Sequence, residues 1–433
     1  MDILTVKQII QSEKDFLKKN PTIDLMNLAV KNLYQFFPKK YKKKKILIIC
    51  GPGKNGLDGK NFYKLIEGEN KKIFFINDNF NFSKLKILIN KSEIIIDSIF
   101  GIGLNRDVRG NYSKTIELVN NSNLKVFSFD IPSGIHPDSG KKLKVAIRAY
   151  QTLAIGFFKP CHFLLPGKEF CGKLKLIKIG LKAEKQRSPQ IRNISKDIMQ
   201  KKIPKFDLSV HKHKKGHVLV IGGEMSGASR LVALSARKVG AGLSTIQIKK
   251  KNIQFYRFVE LGTILTLKNR EKKNYNTVVI GPGLGVNESK KTIIDILIKY
   301  NVPFIIDADI FNIFSKKADF LNKILINKGN CILTPHEGEF KRYFKLDGDD
   351  KISLSLKASK ICQSIIIFKG NDTVVAFPNG KVWINSNANS NLATAGSGDL
   401  LSGIISGFVS LGISISDASV FGVWFHGELS KNS

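Results

Sequence analysis

The chain has 433 residues, enough for two or three domains of ordinary size, and 42% of them are apolar, enough for real cores. Lys and Arg outnumber Asp and Glu by 35 (70 against 35), a balance that ordinarily points to a polyanion partner. Here the basic residues are spread along the chain, mostly as Lys among abundant Ile and Asn, the pattern of an AT-rich coding sequence, so a dedicated nucleic-acid surface is not expected.

From the N-terminus, "MDILTVKQIIQSEKDFLKK" carries charge throughout and has no apolar stretch for a signal peptide. The run "KKYKKKK" (39–45) reads as a solvated loop before a strand. Apolar runs then end repeatedly in glycine or an acid: "KILIIC" (45–50), "KIFFI" (72–76), "EIIIDSIFG" (93–101) and "KVFSFDIPSG" (125–134). Such runs are central strands of a parallel sheet, and their C-terminal ends are where open α/β sheets place ligands. A polar stretch (181–205) follows and sets a boundary near residue 200. The pattern then resumes with "HVLVIGG" (217–223), "TVVIGPGLG" (277–285), "PFIIDAD" (303–309), "CILTPHEGE" (331–339) and "SIIIFKGNDTVV" (364–375). The longest uncharged stretch (400–416) is broken by five serines and three glycines and suits a buried helix, the last long one, better than a membrane span. The five cysteines form no CxxC pair and no zinc spacing, so free thiols in a reducing, cytoplasmic setting are expected.

Three acids gather in the first half. The loop "CGPGKNGLDGKNF" lacks the Gly-Lys-Ser/Thr ending of a P-loop but offers backbone amides together with Asn55 and Asp58. Asp97 and Asp130 end two strands. Singly, each acid is a helix cap or turn residue; converging, they need a cation, a proton or a base-edge contact to offset their repulsion. In the second half "ATAGSGD" sets Asp399 directly after Gly396 and Gly398, before an apolar helix. That is an anion hole with a base beside it, the arrangement for phosphoryl transfer to a hydroxyl. His336 stands at another strand end in "TPHEGE".

"CGPG-NG-DG", "D-IFGIGL-R" and "DIPSG" resemble the N-terminal half of the bifunctional NAD(P)H-hydrate epimerase/dehydratase family, and "HVLVIGG", "GPGLG", "DAD", "TPHEGEF", "KG-DT" and "ATAGSGDLLSGIISG" resemble its ADP-dependent half. The resemblance implies an α/β chain of two domains: a Rossmann-like open sheet with epimerase activity (1–200) and a ribokinase-like α/β/α sandwich with dehydratase activity (206–433). It implies repair of hydrated NADH or NADPH, with ADP as phosphoryl donor, magnesium beside it, no membrane, and a homo-oligomer as an open possibility.

Carried over by position, a potassium ion falls on Asn55, Asp97 and Ser133. Substrate contacts fall on Lys54, Asn55, Gly56, Leu57 and Asp58, on Gly101, Ile102, Gly103, Leu104, Asn105, Arg106 and Asp107, and on Asp130, the acid/base of the epimerase. In the second half Ala228, Gly285 and His336 hold the hydrated dinucleotide and Asp399 activates its hydroxyl. Gly396 and Gly398 hold the transferred phosphate, and Lys369, Gly370, Asn371, Asp372 and Thr373 the nucleotide.

The chain departs from the pattern in places. Lys54 replaces an Asn, Leu57 replaces a Gly, "LMNLAV" (25–30) replaces a Glu-Asn-Ala-Gly run, "HKH" (211–213) replaces His-Lys-Gly, and the helical tail of relatives is missing after "FHGELS". A leucine where a positive φ is needed implies strain or a reshaped loop, so the epimerase half is expected to be the weaker enzyme. The rival readings are a ribokinase-like vitamin-alcohol kinase and a non-catalytic basic binding protein.

Overall fold

The computed structural model describes residues 2–77, 80–183, 189–196, 215–257, 260–267, 274–348 and 350–431. The "HKH" segment and residues 200 and 206 lie outside them. The chain forms two compact units, Asp2–Ile191 and Arg192–Ser433.

In the first unit a two-residue strand, β1 (Asp2–Ile3), precedes six strands: β2 (Ile46–Cys50), β3 (Lys71–Phe75), β4 (Ile94–Ser98), β5 (Lys125–Phe129), β6 (Gln151–Ile155) and β7 (Lys173–Ile177). The six form a sheet in the order β3-β2-β4-β5-β6-β7, every pair parallel. Both β2 and β4 are buried along their whole length, because alternate side chains enter two different cores. Ile46, Ile48, Ile94 and Ile96 pack on one face with Val30 and Leu33 of the Leu25–Phe36 helix and Phe62 of the Lys54–Leu65 helix. Leu47, Ile49 and Ile95 pack on the other with Leu85 and Ile116. The chain leaves β2 in one direction for β3 and returns on its other side as β4. The C-terminal ends of β2 and β4 are therefore a topological switch point, where loops diverge and leave a crevice.

After β8 (Gln190–Asn193), the second unit builds on β9 (His217–Ile221), β10 (Leu243–Gln247), β11 (Thr263–Thr266), β12 (Thr277–Ile280), β13 (Phe304–Ile306), β14 (Cys331–Leu333), β15 (Ile365–Phe368), β16 (Val374–Ala376) and β17 (Lys381–Ile384). Their order is β17-β16-β15-β14-β13-β12-β9-β10-β11. The pairs from β15 through β11 are parallel, and β16 and β17 add antiparallel at one edge. The run 364–375 is thus two strands folded back at Gly370, not one. Helices cover both faces and give three layers. The Ser397–Ser410 helix lies on the Ser226–Lys238 helix so closely that a Cβ on Gly403 would stand 1.9 Å from Ser235 Oγ. A further helix, Ile415–Leu429, follows it, so the glycine-led helix is not the last. The stretch 39–45 likewise begins with a short helix, Lys39–Lys42, that buries Tyr41.

All five cysteines are free and buried. Among the described residues no helix is long and apolar enough to cross a membrane.

Candidate active sites

The switch point of the first unit opens into a cleft of about 640 Å³. One wall is the Val6–Lys19 helix, whose Thr5 cap and Gln8 close a reciprocal capping box and which presents Ile9, Ile10, Glu13 and Lys14. The opposite wall is the start of the Lys54–Leu65 helix, with Lys54, Asn55 and Asp58; Gly101, Ile102, Gly103, Leu104, Asn105 and Arg106 form the rim, and Asp130 and Lys159 the floor. Three expected contacts do not line it. Gly56 faces the strand end: a Cβ there would meet Gly51 O at 1.9 Å, so glycine is what lets the helix start against β2. Leu57 belongs to the helix, donates its N–H to Gly53 O at 3.2 Å and points outward at 45% exposure. The strain expected at Leu57 is therefore absent, since a first-turn helical residue has negative φ. Asp107 lines a neighbouring cleft with Arg109 and Tyr112 instead.

Asp97 is fully buried at the end of β4. Its carboxylate accepts from Ser133 Oγ at 2.6 Å, Ser133 N at 2.9 Å and Ser128 Oγ at 2.8 Å. Burial raises its pKa and these donors work against the rise. Asn55 donates its amide to Phe100 O at 2.8 Å and Phe129 O at 3.3 Å, and its Oδ1 is buried without a hydrogen-bond partner. An orphaned amide oxygen costs about 1–3 kcal/mol unless something binds it. With Ser133 Oγ and Phe100 O nearby, the donors are all oxygen, the set a hard cation takes.

Asp130 is held from several sides. Its backbone is left-handed (φ 66°), its N–H reaches Leu153 O at 2.9 Å, and its carbonyl pairs with His162 Nε2 at 2.9 Å. His162 Nδ1 accepts from Lys159 N, so Nε2 carries the proton. Burial, with the Lys159 charge, pushes the His162 pKa down to about 4, which keeps the ring neutral. The carboxylate accepts from Ile155 N at 3.0 Å and from the ammonium of Lys159, which is 1% exposed. Burial pushes the Asp58 carboxyl up to about 7, with Asp130 and Glu13 adding to the rise and Lys54 opposing it. Lys159, His162 and Glu13 were missed by sequence reasoning. The available signal was one lysine and one histidine inside the apolar run "AIGFFKPCHFLLPG".

In the second unit the switch point lies between β9 and β12. A Cβ on Gly223 would stand 2.2 Å from Leu284 O, and one on Gly283 (φ 63°) would reach Met225 O at 2.2 Å and Ala228 Cβ at 3.0 Å. "VIGG" and "GPGLG" therefore interlock, which brings Ala228 beside Gly283. The Gly285 N–H is already donated to Asp309 Oδ2 at 2.9 Å.

At the ends of β13 and β15, Lys369 Nζ sits 2.8 Å from Asp307 Oδ1 and 3.9 Å from Glu339 Oε2. Asp307 also accepts from Ser402 Oγ at 2.7 Å and from the N–H of Ala308, itself left-handed (φ 50°). Burial works against the Lys369 ammonium, but Asp307 and Glu339 outweigh it and its pKa is raised. Lys369 stands 3.1 Å from where a Cβ on Gly398 would be, so it overlooks the glycine loop. Gly396 caps that helix at φ 85°, and Asp399 sits in its first turn. Burial, with Asp307 adding, pushes the Asp399 carboxyl up to about 6.

His336 is the N-cap of the Glu337–Phe344 helix: its Nδ1 accepts from Gly338 N at 3.0 Å and Glu339 N at 3.4 Å, while the side chain stays half exposed. In the 369–373 loop Asn371 is exposed, Asp372 pairs with Lys351 at 2.5 Å, and Thr373 Oγ1 donates to Gly370 O at 2.6 Å. Asp307 and Glu339, buried partners of Lys369, are the residues sequence reasoning missed here; "DAD" and "HEGE" marked their positions without showing that they meet.

A family model described as NAD(P)H-hydrate dehydratase matches residues 218–433, and one described as YjeF-related protein N-terminus matches residues 69–161. The molecule is thus a two-unit α/β protein joining these two kinds of domain. A relative from Dictyoglomus turgidum, named bifunctional NAD(P)H-hydrate repair enzyme Nnr, is 31% identical over 99% of this chain and 93% of its own length. One of the same name from Moorella thermoacetica is 27% identical over 94% and 87%. Among solved structures, an ADP/ATP-dependent NAD(P)H-hydrate dehydratase from Bacillus subtilis, co-crystallised with ATP/Mg2+, is 26% identical and covers 57% of this chain and 91% of its own, with a TM-score of 0.48. The chain belongs to the bifunctional NAD(P)H-hydrate repair enzyme family.

Proposed function

We propose that the chain repairs hydrated NADH and NADPH, interconverting the R and S hydrates in the first unit and dehydrating the S hydrate at the expense of ADP in the second. Family membership over nearly the whole chain is the observation that carries this reading. The segments we assign to the two activities are 1–200 and 206–433, the compact units dividing at Ile191 and Arg192, in a cytoplasmic protein.

In the dehydratase, Asp399 takes the proton of the ring hydroxyl as that oxygen attacks the terminal phosphoryl group. The N–H groups at Gly396 and Gly398, at the positive end of their helix, steady the charge on the transferred group, and Lys369 adds a fixed cation. Phosphate is a far better leaving group than hydroxide, so elimination then restores the reduced ring. Magnesium would be carried by the nucleotide phosphates, whose charge it would offset. In the epimerase, Asn55 Oδ1, Ser133 and Asp97 would hold a potassium ion, whose charge would offset the buried Asp97 carboxylate.

The test supplies purified protein with the S hydrate of NADH and either ADP or ATP, and follows the return of the reduced nicotinamide's absorbance. Return with ADP supports the reading, a preference for ATP overturns the donor, and no return with either overturns the activity.

A further inference from the structure

The cleft of the first unit separates its carboxylates into two kinds. Asp130 is bonded to the buried ammonium of Lys159, which also donates to Ile155 O at 2.8 Å. The ammonium, 1% exposed, and the carboxylate thus form a buried ion pair. Asp58 lines the same cleft from the other wall, and among the described residues no cation stands within ion-pair distance of its carboxyl. The charged groups facing it are Glu13 from the N-terminal helix, Lys54 one turn earlier on its own helix, and Asp130 from the floor. Lys14 and Arg106 complete the ionisable lining. One carboxyl is ion-paired, then, and the other has no cation within ion-pair distance and two further carboxyls facing it, the asymmetry that divides acid from base at a reacting centre.

Resting on the reading of this unit as the epimerase, we propose that Asp58 is its proton donor and that Asp130, positioned by Lys159, is its proton acceptor. The reacting carbon bears both the hydroxyl and the ring nitrogen. Asp58 gives its proton to the hydroxyl oxygen, the C–O bond breaks, and water leaves with that electron pair. The nitrogen lone pair forms a C=N bond. Water adds to the opposite face, a new C–O bond forms, and the C=N pair returns to nitrogen. The surplus proton of the added water passes to Asp130. Exchange with solvent then restores both carboxyls, and nothing is oxidised or reduced. Lys159 does not touch the substrate; it is a positioning residue that holds the Asp130 carboxylate in place.

The experiment gives the full chain the pure R hydrate of NADH, without nucleotide, in ¹⁸O-enriched water, and follows the S hydrate by chiral chromatography. If wild type converts no faster than buffer, the epimerase reading itself fails. If it does convert, each turnover should carry one solvent oxygen into the product; conversion with the original oxygen retained overturns the water-loss step. Asp58→Asn should lower kcat/KM by about 10²–10⁴. Wild-type kcat/KM should fall as pH rises through about 7, because the donor must be protonated, and Asp58→Glu should keep such a limb. Lys159→Gln should lower kcat while leaving KM within about threefold of wild type, since the lysine touches Asp130 and not the substrate; a loss carried by KM overturns the positioning role. Conversion by Asp58→Asn within about threefold of wild type overturns the assignment, as does an alkaline limb that persists in that variant.

Discussion

The Asp399 carboxyl, pushed up to about 6 by burial and by Asp307, ties catalysis and stability to one proton. As a base it must be ionised, so dehydration should fall as pH drops through about 6. The linkage has the opposite sign. A carboxyl whose folded pKa is raised binds its proton more tightly in the native state, so ionising it at neutral pH destabilises the fold. Asp399→Asn should therefore lower the dehydration rate by about 10²–10⁴ while raising the melting temperature at pH 8. A variant that loses activity and also melts lower would place the carboxylate in a supporting role. The cation site makes a second prediction at this scale. Rubidium soaked into crystals should give an anomalous peak within coordination distance of Asn55 Oδ1 and Ser133 Oγ, and Asn55→Ala should abolish it. A peak that survives the substitution would move the site elsewhere.

The Lys54–Leu65 helix starts one residue after Gly53, and its first turn rests on the strand end through Gly56. Gly56→Ala would drive a methyl into Gly51 O at 1.9 Å, a backbone contact that no rotamer relieves. That variant should lose the epimerase unit's cooperative melting. Leu57 beside it behaves oppositely. Because it is helical and exposed, Leu57→Gly removes no strain and costs about 1 kcal/mol of helix propensity. Epimerisation by Leu57→Gly should not exceed that of wild type. A clear gain in rate would restore leucine as an obstacle in the loop. The second unit uses the same device between helices, where Gly403 and Gly407 let the Asp399 helix approach the Ser226–Lys238 helix.

Each unit has its own sheet with a core on either face. Residues 2–191 and 192–433, expressed separately, should each give a single melting transition, the first interconverting the hydrates and the second dehydrating the S hydrate with ADP. Aggregation of one half, rescued by mixing with the other, would show that this half does not stand alone. The excess of 35 positive charges has a consequence for the whole chain: self-repulsion is screened by salt. The melting temperature should rise as monovalent salt increases from about 0.01 M to 0.15 M, a range over which the Debye length falls from about 30 Å to 8 Å. A flat profile would mean that the charges are already compensated locally.

Much of this was legible in the residues alone. Runs such as "ILIIC" and "HVLVI" are too apolar for a one-sided sheet, so they announce central parallel strands, and the glycine or acid after each marks a ligand-facing end. Asp97, Asp130 and Asp399 could be picked out because a single acid after an apolar run or a glycine loop is a local event. What tertiary structure alone decided was everything that depends on partners distant in sequence. Lys159 neutralises Asp130 across 29 residues and Lys369 meets Asp307 across 62, and no local pattern encodes such pairings. Leu57 fails for the same reason: whether a residue in a glycine-rich loop has positive φ depends on where the helix begins. Here the close seat of Gly56 on Gly51 lets the helix begin three residues before Leu57. Composition and periodicity specify which segments are buried, because burial is set by each side chain's own transfer free energy. Which charges share a cleft is set by the order in which strands enter a sheet, and that order exists only once the chain has folded.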